Sequence, residues 1–375
     1  MSKPKLNQSK NIVISTQCFP PISGGMENLM GGIAENLYKN KFNVFIFADS
    51  KNKLEEDKYD KNLNYEIIRY KGIKIIRKRR KSKDIIKFIQ FKKNINSIIC
   101  DSWKSAENLI KRKIQIKQKI FCLAHGNDIL VNNNLIKKKR IKKTFNQLNY
   151  IVANSYFTKK KIIDLGVTPK KIKVIYPGVD NFNVKDKNNR YKKFKNFSPI
   201  LVTIARLEKR KNHKLIIYAI KDLIKEFKDL IYLIAGDGPE KKSIYKLINK
   251  LNLERNIKIL GKVNEKDKNY LLNISKLHVM PTIDEKRLFS VEGFGISYIE
   301  AARNGIPSIS SGVGGTKESV LNNKTGIFCD PKDISSIKYS IRKLLSDKKT
   351  YKNMSKNSKN FSNKFLWKNI IKKYL

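Results

Sequence analysis

A glycine loop between two carboxylates is the part of this sequence best suited to chemistry. In VEGFGISYIEAARNGIPSIS, residues 291–310, Glu292 and Glu300 flank Gly293, Phe294 and Gly295 in an E-x7-E spacing. Helical periodicity begins near Gly295 and runs to Arg303. The first N–H groups of such a helix have no partner inside it, and they carry the positive end of its dipole. That end binds phosphate oxygens. Glu292 then stands before the helix, beside the ligand, and Glu300 sits over a turn into it, within reach of another part of the same molecule. Carboxylates accept strongly from sugar and ribose hydroxyls. The competing reading is a capped surface helix with solvated glutamates.

Three further groups fall where a ligand would need them. Arg206 and Lys211, in ARLEKRKNH, follow the apolar run Ile200–Ala205. The carboxyl end of a strand is where α/β sheets bind ligands, and two cations there would neutralise a diphosphate. In a chain this rich in lysine, two solvated charges are the plain alternative. Gly24 and Gly25 form a loop after the first strand, short of a full G-x-G-x-x-G and equally readable as a turn. His125, in LAHGND, closes another apolar run and precedes Gly126 and Asp128. His213 falls at a helix start and His278 within a strand, so His125 is the histidine at a strand-end loop, although a lone histidine is commonly structural.

The elements that would position these groups alternate. Asn11–Thr16 reads as a strand, Glu27–Tyr38 as a helix with Leu29, Met30, Ile33, Ala34 and Leu37 on one face, and Val44–Ala48 as a strand. Strand, loop, helix and strand open a doubly wound α/β domain. Residues 51–95 are irregular and very basic, with KIIRKRRKSK at 74–83. Strand patterns return at Ile98–Cys100, Ile120–Ala124 and Tyr150–Ala153. The polar stretch 176–198 has the composition of a linker. Alternation then resumes, with strands at Ile200–Ala205, Ile231–Ala235, Ile257–Leu260, Leu277–Met280 and Pro307–Ser310 and helices between them. The expected organisation is an N-terminal Rossmann-like domain over 1–178, a linker over 179–198, a second such domain over 199–354 facing the first across a cleft, and a terminal helix over 355–375.

Charge is extreme: 81 Lys and Arg against 32 Asp and Glu among 375 residues, formally +49. This favours anionic partners such as nucleic acid, acidic lipid or phosphorylated substrates. Abundant Lys, Asn and Ile also match the bias of an AT-rich genome. A nucleic-acid-binding protein would interleave aromatics with its basic residues on a recognisable module, and none is found. No metal-ligand spacing appears, and Cys18, Cys100, Cys122 and Cys329 form no C-x-x-C pair. They read as thiols in a reducing cytoplasm. No apolar run suits a signal peptide or a membrane span, so any membrane contact is expected to be peripheral, at the inner face of the cell membrane.

Taken together, the motifs resemble glycosyltransferase family 4, whose members have the GT-B fold. The resemblance runs through SGGMENLM at 23–30, HGND at 125–128, ANSYFT at 153–158, KIKVIYPGVD at 171–180, ARLEKRKN at 205–212, AGDGPE at 235–240 and the E-x7-E element. FLWKNIIKKYL looks like the family's terminal helix, which crosses back onto the first domain. The 291–310 segment is especially similar to the mannosyltransferases that act on phosphatidylinositol.

The resemblance implies a retaining transferase that takes a hexose, mannose among them, from a GDP- or UDP-sugar to a lipid-linked or glycan acceptor, without metal or cofactor. It implies that Arg206 and Lys211 hold the donor diphosphate, that Glu292 contacts the donor sugar and Glu300 the ribose, and that Gly293, Phe294 and Gly295 close on sugar and phosphate. It places Val263 near the base, Gly24 and Gly25 near the diphosphate, and His125 near the reacting sugar, with His125 and Glu292 as the catalytic pair. Residues 51–95 match no family motif, which leaves the acceptor open. A GT-B phosphorylase or glycan-binding protein is the alternative.

Overall fold

Several strands of this protein are apolar along their whole length rather than alternating, which is the pattern of parallel strands covered on both faces. In the computed structural model, which describes residues 10–22, 24–111, 116–131, 134–180, 189–284 and 290–375, all six residues of the first strand are buried. The described chain divides into two compact units, one of residues up to Gly178 plus Trp367–Leu375, the other Val179–Leu366.

In the first unit β1 (Asn11–Thr16), α1 (Gly25–Lys39), β2 (Asn43–Asp49), α2 (Lys53–Asp60), β3 (Glu66–Tyr70), α3 (Lys74–Phe91) and β4 (Ile95–Cys100) follow one another. Then come α4 (Trp103–Ile110), β5 (Lys119–Ala124), α5 (Leu135–Gln147), β6 (Tyr150–Ala153), α6 (Tyr156–Asp164) and β7 (Ile172–Val174). The strands pair in parallel in the order β3-β2-β1-β4-β5-β6-β7. One face of the sheet is covered by α1, through Leu29, Met30, Ile33, Ala34 and Leu37. The other is covered by α3, α4 and α5, through residues such as Ile85, Ile89, Leu109 and Phe145.

The basic stretch 74–83, irregular by its sequence pattern, is the start of α3. Its helical face is hidden because a cation occupies an inward position. Lys81 is buried, with Nζ 2.7 Å from Asp49 Oδ1 and 2.6 Å from the Thr16 carbonyl. Arg77 joins the same carboxylate at 3.0 Å. Part of this basic run therefore serves the fold, in place of the apolar residues a periodicity search looks for.

The second unit contains β8 (Ile200–Ile204), α7 (His213–Leu223), β9 (Ile231–Ala235), α8 (Lys241–Lys250), β10 (Ile257–Gly261), α9 (Glu265–Ile274) and β11 (Leu277–Val279). It continues with α10 (Ile296–Arg303), β12 (Ser308–Ser310), α11 (Thr316–Ser319), β13 (Gly326–Phe328), α12 (Ile334–Ser346) and α13 (Lys348–Ser362). Its parallel sheet has the order β10-β9-β8-β11-β12-β13. Of the stretch with linker composition, 181–188 lie outside the described residues, while Tyr191 and Phe194 pack into the core of this unit.

Where the sequence pattern suggests one terminal helix over 355–375, α13 ends at Ser362 and α14 (Trp367–Ile370) begins afresh. Leu366 between them is extended and bridges in parallel to Val179, whose N–H donates to the Phe365 carbonyl at 2.9 Å. A continuous helix cannot make that bridge. Trp367 is buried in the first unit's core, and a Cβ on Gly32 or Gly178 would come within 2.3 Å of its ring. Trp367→Ala should cost about 3–5 kcal/mol, as for other large-to-small core changes. Peptide-resolved hydrogen exchange should show faster exchange in α1 and unchanged exchange in α7. Unaltered protection of α1 would remove Trp367 from that core.

Candidate functional site

In both sheets the order of the strands reverses direction at one point, between β1 and β4 and between β8 and β11. Ligands of open α/β sheets bind beyond the carboxyl ends of the strands at such a point. The chain after β8 supplies Arg206 and Lys211 there, and the chain after β11 supplies Glu292 and the glycine loop.

The loop's shape follows from its glycines. Gly295 caps α10 with φ +85°, a left-handed conformation that a side chain disfavours. Gly315 N–H donates to the Glu292 carbonyl at 2.8 Å, and a Cβ on Gly315 would lie 1.9 Å from the Gly293 carbonyl oxygen. Two loops from neighbouring strands thus touch backbone to backbone. Ser319 Oγ–H donates to the Phe294 carbonyl at 2.7 Å, and the Phe294 ring is buried. The N-terminus of α10 is fixed from both sides.

The Glu292 carboxylate is held by two cations. Lys211 Nζ lies 2.5 Å from its Oε2, and Arg210 donates to the same oxygen. Arg210 also pairs with Glu208 at 3.0 Å, and Glu208 with Arg206 at 3.1 Å. Arg206 and Lys211 therefore stand at the two ends of one chain of ion pairs. Their surroundings differ sharply: the Arg206 side chain is 70% exposed and that of Lys211 8%. The turn Lys209–Lys211 is locked by Asn212, which has φ +61° and donates to the Pro281 and Pro331 carbonyls at 3.1 and 2.6 Å. Burial alone would raise the Glu292 carboxyl, but Lys211 and Arg210 overcome it and hold it at about 2. Burial draws the Lys211 ammonium down, against the pull of Glu292.

Glu300 sits on α10 and pairs with Lys268 of α9, which also lies 2.8 Å from Glu265. Burial and the Glu265 charge push the Glu300 carboxyl up, and the two carboxylates keep the Lys268 proton on despite its burial. Val263 is half-buried just past β10, against that face of the core.

The remaining candidates lie in the first unit. Gly24 and Gly25 open α1 at the carboxyl end of β1; Ser23 of the same motif lies outside the described residues. Gly25 is exposed, and a Cβ there would meet nothing within 4 Å among the described residues. His125 follows β5. Its Nε2–H donates to the Asp101 carbonyl at 2.7 Å, which fixes the orientation of the ring. Its own N–H donates to Asp128 Oδ1 at 2.9 Å. The other two histidines are buried and pushed down to about 3, so they stay neutral inside the second unit.

The structure brings Lys211, Glu292, Gly293, Phe294 and Gly295 together, with Arg206 joined through Glu208. Glu300 and Val263 lie with Lys268 and α9. Sequence reasoning missed Arg210 and Lys268. Arg210 had no distinguishing signal inside a run of three cations, and Lys268 faces Glu300 only once α9 and α10 are placed. A cavity of about 680 Å3 in this unit is lined by Pro199, Ile200 and Lys276, at the amino ends of β8 and β11, opposite to this chemistry.

The profile described as Glycosyltransferase Family 4 matches residues 23–181, and that of Glycosyl transferases group 1 matches 184–361. The GDP-mannose-dependent monoacylated alpha-(1-6)-phosphatidylinositol monomannoside mannosyltransferase of Corynebacterium glutamicum is 23% identical over 91% of this chain and 90% of its own. The N-acetyl-alpha-D-glucosaminyl L-malate synthase of Bacillus anthracis is 28% identical over 67% and 65%. The crystal structure of Anabaena HepE in complex with UDP and glucose superimposes with a TM-score of 0.79 at 17% identity, covering 98% of each chain. The sucrose-phosphate synthase of Thermosynechococcus elongatus gives 0.78 at 18% identity, over 98% and 97%. At such identities the structural likenesses speak for the fold, which is GT-B.

The Glu292 cluster makes a prediction about acid stability. Its carboxyl lies at about 2 in the folded protein and near 4.5 when unfolded, so its contribution is complete above pH 4.5 and lost as pH falls towards 2. Glu292→Gln leaves the buried Lys211 without its carboxylate and Arg210 with Glu208 alone, and should cost about 3–5 kcal/mol at neutral pH. It should also flatten the loss of stability across that window. Urea midpoints of both proteins between pH 2 and 7 measure this, and parallel pH profiles would contradict it.

Proposed function

The chain belongs to glycosyltransferase family 4, and we propose that it transfers a hexose from a nucleoside-diphosphate sugar to an acceptor hydroxyl with retention at the anomeric carbon. The observation that carries this reading is the Glu292 carboxylate, held by Lys211 and Arg210 at the entrance to a glycine loop and helix N-terminus.

Each charge suits one part of such a donor. Glu292 stays ionised at neutral pH, so it accepts from sugar hydroxyls and does not donate a proton. Paired with two cations, it is also a weak nucleophile, which favours a route without a glycosyl-enzyme intermediate. Arg206 and Lys211, with the N-terminus of α10, take the diphosphate and the charge it gains on leaving. Glu300, fixed by Lys268, accepts from the ribose hydroxyls, and Val263 lies beside the base. Gly24 and Gly25 approach the diphosphate, and the oriented ring of His125 serves the reacting sugar.

In the reaction, the bond from the anomeric carbon to the diphosphate oxygen breaks as the acceptor oxygen bonds to the same face. The acceptor proton passes to an oxygen of the departing diphosphate, so atoms and charge balance without a protein base. The enzyme's share is placement and stabilisation of the leaving charge. Because protein cations neutralise that charge, the reaction proceeds without metal. The donor is a GDP- or UDP-hexose, with mannose favoured by the relatives' chemistry. The acceptor is lipid-linked or a glycan, reached by peripheral contact with an anionic membrane; no helix among the described residues is long and apolar enough to cross one.

Release of nucleoside diphosphate should require an acceptor, survive EDTA, and give a product of the donor's anomeric configuration by NMR. An inverted product, or loss of activity on chelation with recovery on adding magnesium, would refute the proposal. Arg206→Ala removes an exposed charge-assisted contact of roughly 1.5–3 kcal/mol, so kcat/KM should fall about tenfold to a hundredfold. Kinetics equal to wild type would free Arg206 of that role. Gly25→Ala adds a methyl that meets no atom of the described residues, so Tm should hold while kcat/KM falls. Full activity in that variant would mean that no ligand approaches Gly25.

A further inference from the structure

In the reaction proposed above Arg206 and Lys211 take the diphosphate, and Arg210, which stands between them, has no part. The ion pairs around it hold more positive charge than they need. Arg206 pairs with Glu208 at 3.1 Å, Glu208 with Arg210 at 3.0 Å, and Arg210 and Lys211 both meet Glu292. Three cations share two carboxylates, a surplus of one positive charge. Stability gives no reason for the surplus. Lys211 alone would neutralise Glu292, and Arg206 alone would neutralise Glu208. Burying one more cation is costly, and the Arg210 side chain is 12% exposed. Its Nε is buried without a hydrogen-bond partner among the described residues, which adds to the cost.

Arg210 is nonetheless firmly held. One arm of its guanidinium donates to Glu292 and the other lies against Glu208. Its carbonyl accepts from the Ile283 N–H at 2.9 Å, which ties the cation turn to the chain beyond β11. Lys211 is held less completely. Its ammonium has three N–H donors. One goes to Glu292 Oε2 at 2.5 Å and one to the Met280 sulfur at 3.6 Å, which leaves a third for a ligand oxygen.

The two cations also meet on the same carboxylate oxygen, Oε2. Burial draws the Lys211 ammonium down against the pull of Glu292, and the neighbouring Arg210 charge draws it further. An anion that arrives at Lys211 relieves this repulsion. Loosening Lys211 from Glu292 then strands no charge, because Arg210 stays on the carboxylate. Without Arg210, Lys211 would be the one counter-ion of a buried carboxylate, and a buried ion left without its partner is strongly disfavoured.

We infer that Arg210 is a positioning residue for the donor: it keeps the Glu292 carboxylate neutralised and in place while Lys211 turns to the diphosphate. This rests on the donor site proposed above and deepens it, by naming the residue that lets one lysine serve two partners.

Calorimetric titration with UDP and with GDP separates this role from a merely structural one, because neither ligand carries the sugar that Glu292 would contact. Arg210→Gln removes the surplus charge and should weaken binding about tenfold. Glu292→Gln frees Lys211 and should tighten it. Arg210→Gln combined with Glu292→Gln restores the surplus and leaves Lys211 free, so this double variant should bind as wild type does. Arg210→Lys keeps a cation beside Glu292 and should also bind as wild type does. Circular dichroism at the titration temperature establishes that each variant is folded. If Arg210 serves the fold alone, the second substitution rescues nothing, and the double variant binds no better than Arg210→Gln. That result would overturn the inference, as would Arg210→Gln binding at wild-type strength. Should Glu292→Gln fail to fold, the two Arg210 variants still decide, since equal losses in Arg210→Gln and Arg210→Lys would overturn a role for the charge. All three results would leave the transferase reading intact. Wild type that binds neither UDP nor GDP would overturn that reading and this inference with it.

Discussion

Around Glu292 the second unit holds three charges with little access to water. Burying ions costs several kcal/mol each, and close pairing repays that only when the geometry is tight. Well-packed apolar residues of the same volume would serve stability as well or better. Here Lys211, Arg210 and Glu292 are kept, on two segments more than eighty residues apart, where the glycine loop meets the start of α10. The loop geometry then follows from them. Asn212 must lock the cation turn, Gly295 must take its left-handed conformation, and Gly315 must lie flat against Gly293. A cluster that is expensive to bury and aimed at a helix N-terminus is best understood as a ligand's counterpart.

The two sheets place that chemistry. Each reverses its strand order once, and in each the singled-out residues lie beyond the carboxyl ends of the strands around that point. In the second unit carboxylates and cations pair at the start of α10 and between α9 and α10. In the first unit Gly24 and Gly25 open α1 after β1, and His125 follows β5. The charge of this chain thus has several uses: Lys81 and Arg77 are core partners of Asp49, and Lys211 pairs with the buried Glu292.

Much of this was legible in the sequence. Strands such as Ile231–Ala235 and the Ile12–Ile14 centre of Asn11–Thr16 announce themselves because both faces are buried and successive positions are apolar. The E-x7-E element and the glycine between its carboxylates marked the loop and the start of α10 within a residue. What escaped was set by tertiary partners. Helix α3 was hidden because its inward face uses Lys81 and Ser82, which periodicity scores as surface. Arg210 looks like its neighbours Lys209 and Lys211 until Glu292 and Glu208 are placed around it. Lys268 gains meaning from Glu300 alone, and the break before Trp367 from a bridge to Val179, far away in the chain.

Hydrogen exchange on the unmodified protein reads directly where a nucleoside diphosphate binds. Adding GDP or UDP should slow exchange in peptides covering 205–212 and 291–298, where the cation turn and the N-terminus of α10 lie, and leave α12 and α13 unchanged. Protection confined to other segments, or none with any nucleoside diphosphate at saturating concentration, would contradict it.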